Sequence, residues 1–204
     1  MKTLTNIISF IFCIIIICSY TNSFASSEKE KILLEIKSYI NNLKKLRADF
    51  IQVNPNGYVR EGKLYLDLPG KIRLEYTNPD NLLITSQGFW LVVQDRELKY
   101  TNNIPVSETP LDFFLNKQIN FSEETSNISV KKESGLIFLT IQDKKRYHQS
   151  TLVMQFTENP INLKKWIIKD EFENHTSVLL QNLNLTEDIS HLLFFPEVFE
   201  TNDK

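Results

Sequence analysis

The residues that could carry out chemistry in this chain are few and widely separated. The histidines, His148, His175 and His191, are never four residues apart, so no two of them could hold a metal from one face of a helix. The sequence leaves open whether they converge with carboxylates in the fold. The acidic pairs Glu123-Glu124 and Asp170-Glu171 have the pattern of solvated charges rather than of paired catalytic acids. We therefore expect no metal site.

Nucleophilic and nucleotide-binding motifs are missing from the sequence as well. Ser107 and Ser150 stand outside any nucleophile-elbow sequence, and the 5 glycines are scattered without the spacing of a phosphate-binding loop. The formal net charge is −2, and a basic run such as Lys144-Lys145-Arg146 is too short to make the positive field that nucleic-acid binding requires. The sequence therefore predicts a protein that is not an enzyme, needs no cofactor and binds no nucleic acid.

Residues 1–25 have the layout of a secretory signal peptide. Lys2 precedes the apolar run Ile7–Cys18, and the segment finishes at a small-residue cleavage site at 23–25. The apolar run is shorter than the ~20 residues that span a bilayer, which favours a cleaved signal over an uncleaved membrane anchor. Both cysteines lie inside this segment, so the exported chain, 26–204, would contain neither a thiol nor a disulfide.

A first helix is predicted from Ser27 to about Leu46. Ser27 and Glu30 have the spacing of a capping box, and apolar residues recur at three- and four-residue intervals along the segment. This spacing predicts an amphipathic helix that lies on an apolar surface. A membrane-surface helix is the alternative, but the polar face mixes Glu and Lys rather than being uniformly basic.

Alternating apolar and polar residues predict about eleven antiparallel strands in the rest of the chain. In the clearest of them, Ile72, Leu74 and Tyr76 point to one face and Arg73 points to the other. The predicted strands lie at about 48–54, 57–68, 71–77, 81–86, 88–94, 97–101, 126–132, 135–142, 150–157, 161–170 and 176–185. A second, short helix is predicted after Thr109. The layout is α+β, in one domain covering 26–204.

Several predicted strands are apolar on both faces, including 89–93 and 166–168. A curved sheet that few helices can cover tends to leave a lumen, as in small barrels that hold one apolar ligand. A solid core explains the same pattern, and periodicity alone does not choose between the two.

The order of the sequence pieces resembles the outer-membrane lipoprotein carrier protein family (LolA). The matching pieces are EGKLYL, Pro-Gly, RLEY, NPD, SQG, VQDRELK and S-x-TPLDFFL, in that order. The resemblance implies an unclosed antiparallel β-barrel with an α-helical lid over a hydrophobic cavity that takes the acyl chains of a lipoprotein.

The resemblance also implies a monomeric chaperone of the periplasm that carries lipoproteins from the inner to the outer membrane. Its implied partners are acylated lipoproteins, an ABC-type lipoprotein release complex in the inner membrane, and an outer-membrane receptor or the outer membrane itself. The alternative is a lipoprotein-sensing regulatory or lipid-binding module of the same fold.

The predicted cavity residues are apolar side chains of the strands and of the second helix. They are Leu64, Leu66, Ile72, Leu74, Tyr76, Leu83, Phe89, Leu91 and Val93 from the strands, and Leu111, Phe114 and Leu115 from the lid side. Core packing is the alternative role for each of them.

The predicted lid edge and hinge consist of Leu68, Pro69, Thr109 and Pro110. Members of the family commonly have Arg-Pro where this chain has Leu68-Pro69, and the arginine donates hydrogen bonds to the lid backbone. Leucine cannot donate, so either another donor holds the lid or the empty form is more open.

Overall fold

Eleven strands form one antiparallel sheet in the computed structural model, which describes residues 28–78, 80–109, 111–115, 126–143, 150–185 and 188–199. The strands are β1 Lys45–Val53, β2 Val59–Asp67, β3 Lys71–Asn78, β4 Leu82–Gln87, β5 Trp90–Asp95, β6 Tyr100–Pro105, β7 Ser126–Glu133, β8 Leu136–Asp143, β9 Thr151–Thr157, β10 Asn162–Lys169 and β11 His175–Asn184. The predicted signal segment, 1–25, lies outside the described residues.

The sheet is a meander in which the first and last strands meet in the middle. Its strand order is β6-β5-β4-β3-β2-β1-β11-β10-β9-β8-β7, and every neighbouring pair is antiparallel. Among the described residues, the edge strands β6 and β7 do not pair with each other, so the sheet is not closed. The predicted α+β class with about eleven antiparallel strands in an unclosed arrangement is confirmed.

The first helix, α1, spans 28–42, and the chain divides into two compact units after Ser38. In the first unit, Ile32 and Ile36 are buried whereas Leu34 is exposed, which is the predicted amphipathic pattern. The last turn of α1 belongs to the second unit. There the hydroxyl of Tyr39 accepts a hydrogen bond from the amide of Leu163 at 3.1 Å.

Helix α1 ends at residue 42, so the predicted extension to Leu46 is wrong. Leu46 follows Leu43 at helical spacing but also precedes Ala48 at strand spacing, and both periods fit the sequence. In the structure Leu46 pairs with Leu66 of β2 and is fully buried. Strand pairing on a buried face therefore decides the conformation of this segment.

Strand β6 begins at Tyr100, later than the predicted start at residue 97. The carboxylate of Asp95 accepts hydrogen bonds from the amides of Glu97 and Leu98, and Lys99 has a φ of 53°. These contacts extend the turn between β5 and β6 and delay the strand. The second helix, α2, is short and spans Asp112–Leu115.

One face of the sheet is apolar along most of its width, and we call it the apolar face. Its buried side chains are Ile137, Leu139 and Ile141 on β8; Leu152, Met154 and Phe156 on β9; Leu163 and Trp166 on β10; Val178 and Leu180 on β11; Leu46, Ala48 and Phe50 on β1; Leu64 and Leu66 on β2; and Ile72, Leu74 and Tyr76 on β3. Cross-strand register places these side chains on the same side of the sheet, where such pairs stabilise it.

The opposite face of β3, β4 and β5 is covered by the C-terminal segment 188–199. Phe194, in the 3-10 helix His191–Phe194, is fully buried, and Arg73 donates a hydrogen bond to the carbonyl of Leu193 at 3.0 Å. Gln94 donates to the carbonyl of Glu197 at 2.9 Å and accepts from its amide at 2.8 Å. The segment is therefore fixed to the sheet at two points, Leu193 and Glu197.

Candidate functional site

Most of the predicted cavity residues lie together on the apolar face. Leu64 pairs with Leu74, Leu66 pairs with Ile72, and Gly62 pairs with Tyr76 across β2 and β3. The face continues through Ile84 and Ser86 of β4 to Leu91 and Val93 of β5. The strand residues that share this face are Leu64, Leu66, Ile72, Leu74, Tyr76, Leu91 and Val93.

Two of the predicted strand residues lie elsewhere. Leu83 is fully buried, but it pairs with Glu75 and Gln94 and so lies on the opposite face of the sheet. Phe89 follows Gly88 in the turn between β4 and β5, and its side chain is 72% exposed. The run Leu82-Leu83-Ile84 is apolar on both faces, so the sequence could not show which of its residues belongs with Leu74.

The sequence interpretation also missed the half of the apolar face formed by β8 to β11. Phe156 is fully buried on β9 and packs edge-on against Tyr39, with ring centroids 5.9 Å apart. The pKa of Tyr39 is raised above its ordinary value by burial, and the hydrogen bond from the Leu163 amide offsets part of this rise. The alternation of Leu152, Met154 and Phe156 is the sequence signal that could have identified this half.

Phe50, Gly62 and Tyr76 pack tightly against one another on the apolar face. The ring of Phe50 lies edge-on to the ring of Tyr76, with centroids 5.1 Å apart. A Cβ atom on Gly62 would lie 2.7 Å from the Phe50 ring and 2.2 Å from the carbonyl oxygen of Glu75. Only glycine fits this position, because any side chain would overlap both groups.

A polar network borders the apolar face near Tyr76. The hydroxyl of Tyr76 donates to the side-chain oxygen of Gln52 at 2.7 Å, and the Gln52 amide donates to Asn54 at 2.7 Å. Burial raises the pKa of Tyr76 to about 12. The charge of Arg60 lowers this pKa and the charge of Asp80 raises it, both with a smaller effect than burial. The phenol is therefore neutral at physiological pH, so it adds no charge to the apolar face.

The predicted lid edge is connected to α2 through the backbone. The amide of Gly70, in the β2–β3 turn, donates to the carbonyl of Leu115 at 2.7 Å. Leu111 and Leu115 are buried, and so is Leu68, whose amide donates to the carbonyl of Lys44 at 2.7 Å. The turn containing Leu68, Pro69 and Gly70 therefore lies against the short helix.

The segment leading into α2 is held to the β4–β5 turn. The amide of Val106 donates to the carbonyl of Phe89 at 2.9 Å, and the amide and hydroxyl of Thr109 donate to the carbonyl of Val106 at 2.9 Å and 2.8 Å. Pro110 and the side chain of Phe114, which were also predicted at the lid, lie outside the described residues.

The site has the composition of an apolar binding surface. The described residues contain no group of three or more His, Cys, Asp and Glu side chains that could hold a metal ion. Within the same ranges, no helix is both long enough and apolar enough to cross a membrane. The side chains of the apolar face can exclude water and contact apolar ligand atoms, which is the usual way such sites bind.

Known proteins share this unclosed antiparallel fold. An uncharacterized conserved protein from Thermus thermophilus superposes with a TM-score of 0.53 over 82% of this chain and 94% of that chain. The identity is 8%, so this likeness concerns the fold alone. The fold class is therefore an open antiparallel sheet.

The sequence comparisons identify the family. The chain matches the family model "Outer membrane lipoprotein carrier protein LolA" over residues 41–197. It is 26% identical over 163 residues to the outer-membrane lipoprotein carrier protein of Chromobacterium violaceum, covering 76% of this chain and 78% of that protein. It is also 25% identical over 198 residues to an uncharacterized protein of Rickettsia prowazekii, covering 95% and 88%. The chain belongs to the LolA family, whose members are carriers that bind lipoproteins.

Proposed function

We propose that this protein binds the acyl chains of lipoproteins in the periplasm and carries them from the inner membrane to the outer membrane. The observation that carries the proposal is the family match over 41–197, which includes every strand of the apolar face. The proposed binding surface is the part of that face on β2, β3 and β5. Its residues are Leu64, Leu66, Ile72, Leu74, Tyr76, Leu91 and Val93.

Physical chemistry supports this role for an uncharged apolar surface. Each buried CH₂ group of an acyl chain gains about 0.8 kcal/mol, so a surface without catalytic groups can supply strong binding. A lipoprotein anchor has several such chains and cannot cross an aqueous compartment unless they are covered. Tyr76 is neutral at physiological pH, and the charge of Arg60, 5.9 Å from the Tyr76 ring, lies at the border of this surface and is paired with Asp80.

Most side chains of the proposed surface are buried in the structure, so cargo can reach them only if part of the chain moves, and we propose that α2 is this part. The bond from the Gly70 amide to the Leu115 carbonyl links α2 to the β2–β3 turn. A single hydrogen bond contributes about 1 kcal/mol net, which is small beside the gain from a whole acyl chain. Binding of cargo can therefore offset the loss of this contact.

In this role the protein would act as a monomer between two membrane systems. An ABC-type release complex of the inner membrane would supply the acylated lipoprotein. An outer-membrane receptor, or the outer membrane itself, would accept it. Affinity for the cargo must therefore be high enough to cover the chains and low enough to let an acceptor remove them.

Purification of the protein from the periplasm of cells that express one tagged lipoprotein tests the proposal. The matched control is the same lipoprotein with its acylated cysteine replaced by serine. Native mass spectrometry should find a one-to-one complex with the acylated form and none with the control. Acceptor membranes should then remove the cargo, whereas a sensor of lipoproteins would retain it. Equal binding of both forms would contradict the proposal.

A further inference from the structure

Two aromatic side chains stand exposed side by side at the tip of the β4–β5 hairpin. Phe89 is 72% exposed and Trp90 is 46% exposed, and their rings pack edge-on with centroids 5.1 Å apart. We call Gly88, Phe89 and Trp90 the aromatic turn. Large apolar side chains grouped at one exposed tip usually mark a contact with something outside the chain.

The aromatic turn lies in the middle of an uncharged stretch. No Asp, Glu, Lys or Arg occurs from Asn81 to Gln94. The turn is also tied to the fold, since the Phe89 carbonyl accepts a hydrogen bond from the Val106 amide at 2.9 Å. The two rings therefore project from a fixed hairpin. If the tip of this hairpin entered an apolar phase, no charged side chain of the hairpin near it would have to be removed from water.

The aromatic turn is at the same end of the sheet as α2. A Cβ atom on Gly70 would lie 3.1 Å from the Cα atom of Gly88, so the β2–β3 turn packs directly on the aromatic turn. Gly70 is also the residue whose amide contacts Leu115 of α2. An object that touches the aromatic turn would therefore be next to the proposed lid.

We propose that the aromatic turn inserts into the surface of a lipid bilayer. Phenylalanine and tryptophan are side chains that partition into the interfacial region of membranes. Two rings of at most 150–250 Å² each, roughly, bury far less than the ~800 Å² per partner of a stable protein interface. They are enough for a weak and reversible membrane contact.

This contact would place the end of the sheet that contains α2 at the membrane where acyl chains enter or leave. That purpose rests on the proposed function, but the contact itself does not require cargo. The two can therefore be tested separately on the same protein.

The test measures binding of the cargo-free exported chain to vesicles of phosphatidylethanolamine and phosphatidylglycerol by flotation. The test variant is Phe89→Ser/Trp90→Ser. The matched control is Leu98→Ser/Phe172→Ser, which removes two side chains that are 75% and 77% exposed in the turns at the other end of the sheet. We expect the fraction of the test variant that floats with the vesicles to be at least fivefold lower than that of the parent. The control should float like the parent. A parent that does not float, or an equal loss in both variants, overturns the proposal.

Fluorescence gives a second measurement that does not depend on removing the rings. The chain has 2 tryptophans, and Trp166 is 4% exposed whereas Trp90 is 46% exposed. Vesicles with brominated acyl chains should quench Trp90 emission and shift it to the blue in Trp166→Phe. Unchanged emission from vesicle-bound protein would show that another surface makes the contact.

Cargo binding by the Phe89→Ser/Trp90→Ser variant separates the two proposals. We expect this variant to bind an acylated lipoprotein within twofold of the parent. If cargo binding persists and no variant or parent binds vesicles, the membrane contact is wrong and the carrier function stands. If vesicles bind through the aromatic turn but acylated cargo does not bind, the carrier function is wrong.

Discussion

The amide of Gly70 donates a 2.7 Å hydrogen bond to the carbonyl of Leu115, and this bond joins the β2–β3 turn to α2. The turn begins at Leu68-Pro69, where members of the family commonly have an arginine that donates to the lid. Leu68 has no donor in its side chain, but a backbone donor lies two positions further along the chain. A contact of this kind depends on the conformation of Gly70, which has a φ of 85°.

Gly70→Ala should loosen α2 and raise the affinity of the empty protein for an apolar dye. The φ of Gly70 costs an alanine about 1–2 kcal/mol, and the new Cβ would press on Gly88 at 3.1 Å. Gly57→Ala is the matched control, because Gly57 has a φ of 79° but open space around it. Dye titration should show a severalfold gain for Gly70→Ala and none for Gly57→Ala. Equal dye affinity in the two variants would contradict this role of the Gly70 contact.

Gly62→Ala should destabilise the sheet severely. Its Cβ would overlap the carbonyl oxygen of Glu75 at 2.2 Å and the ring of Phe50 at 2.7 Å. Overpacking of a close-packed core costs about 1–3 kcal/mol, and the overlap with backbone puts this change at the upper end. Urea unfolding measures the difference. Gly135→Ala, whose Cβ meets nothing within 4 Å, should cost less, although its φ of 76° is unfavourable for alanine.

Glu75→Gln should lower the free energy of unfolding at neutral pH. It should also make the free energy of unfolding change less with pH in the acid range. Burial alone would raise the pKa of Glu75, but the hydrogen bonds and charges of Arg96 and Arg73 lower it below its ordinary value of 4.5. Arg96 donates to Glu75 at 2.8 Å and also binds the carboxylate of Glu197 at 2.7 Å and 3.0 Å. Stability from a lowered carboxyl pKa is present above the ordinary pKa and is lost as the pH falls through the lowered value.

Chemical denaturation between about pH 6 and pH 3 checks this prediction. The parent should lose more stability over this range than Glu75→Gln does. Glu133→Gln serves as the control, because the Lys131–Glu133 pair is exposed and such pairs contribute little. If Glu75→Gln and the parent have parallel pH profiles, the Glu75 carboxylate does not stabilise the fold in this way.

Sequence periodicity was sufficient for the elements whose two faces differ in polarity. Strand β3 shows this best, since Ile72, Leu74 and Tyr76 alternate with polar residues and the structure buries all three on one face. Periodicity failed where both faces are apolar, as at Leu83. It also failed at Leu46, which fits a helix and a strand equally well.

The cover on the opposite face could not be predicted from the sequence. Arg73 has the spacing of a solvent-facing residue, yet it is 8% exposed because the C-terminal segment lies over it. The apolar residues of that segment, such as Phe194, follow no helix or strand period. Their burial depends on contacts with residues more than a hundred positions away, which no local pattern records.

The most direct test of the carrier function compares two adjacent residues of β5. Val93 pairs with Ile84 on the apolar face, whereas Val92 pairs with Thr85 on the opposite face, and both are half-buried. A photoreactive amino acid at either position should therefore be accommodated equally well. The measurement is the yield of cross-links to the acyl chains of a bound lipoprotein. If the protein is a carrier, position 93 should give cross-links and position 92 few. Equal yields, or cross-links from position 92 alone, would contradict the carrier function.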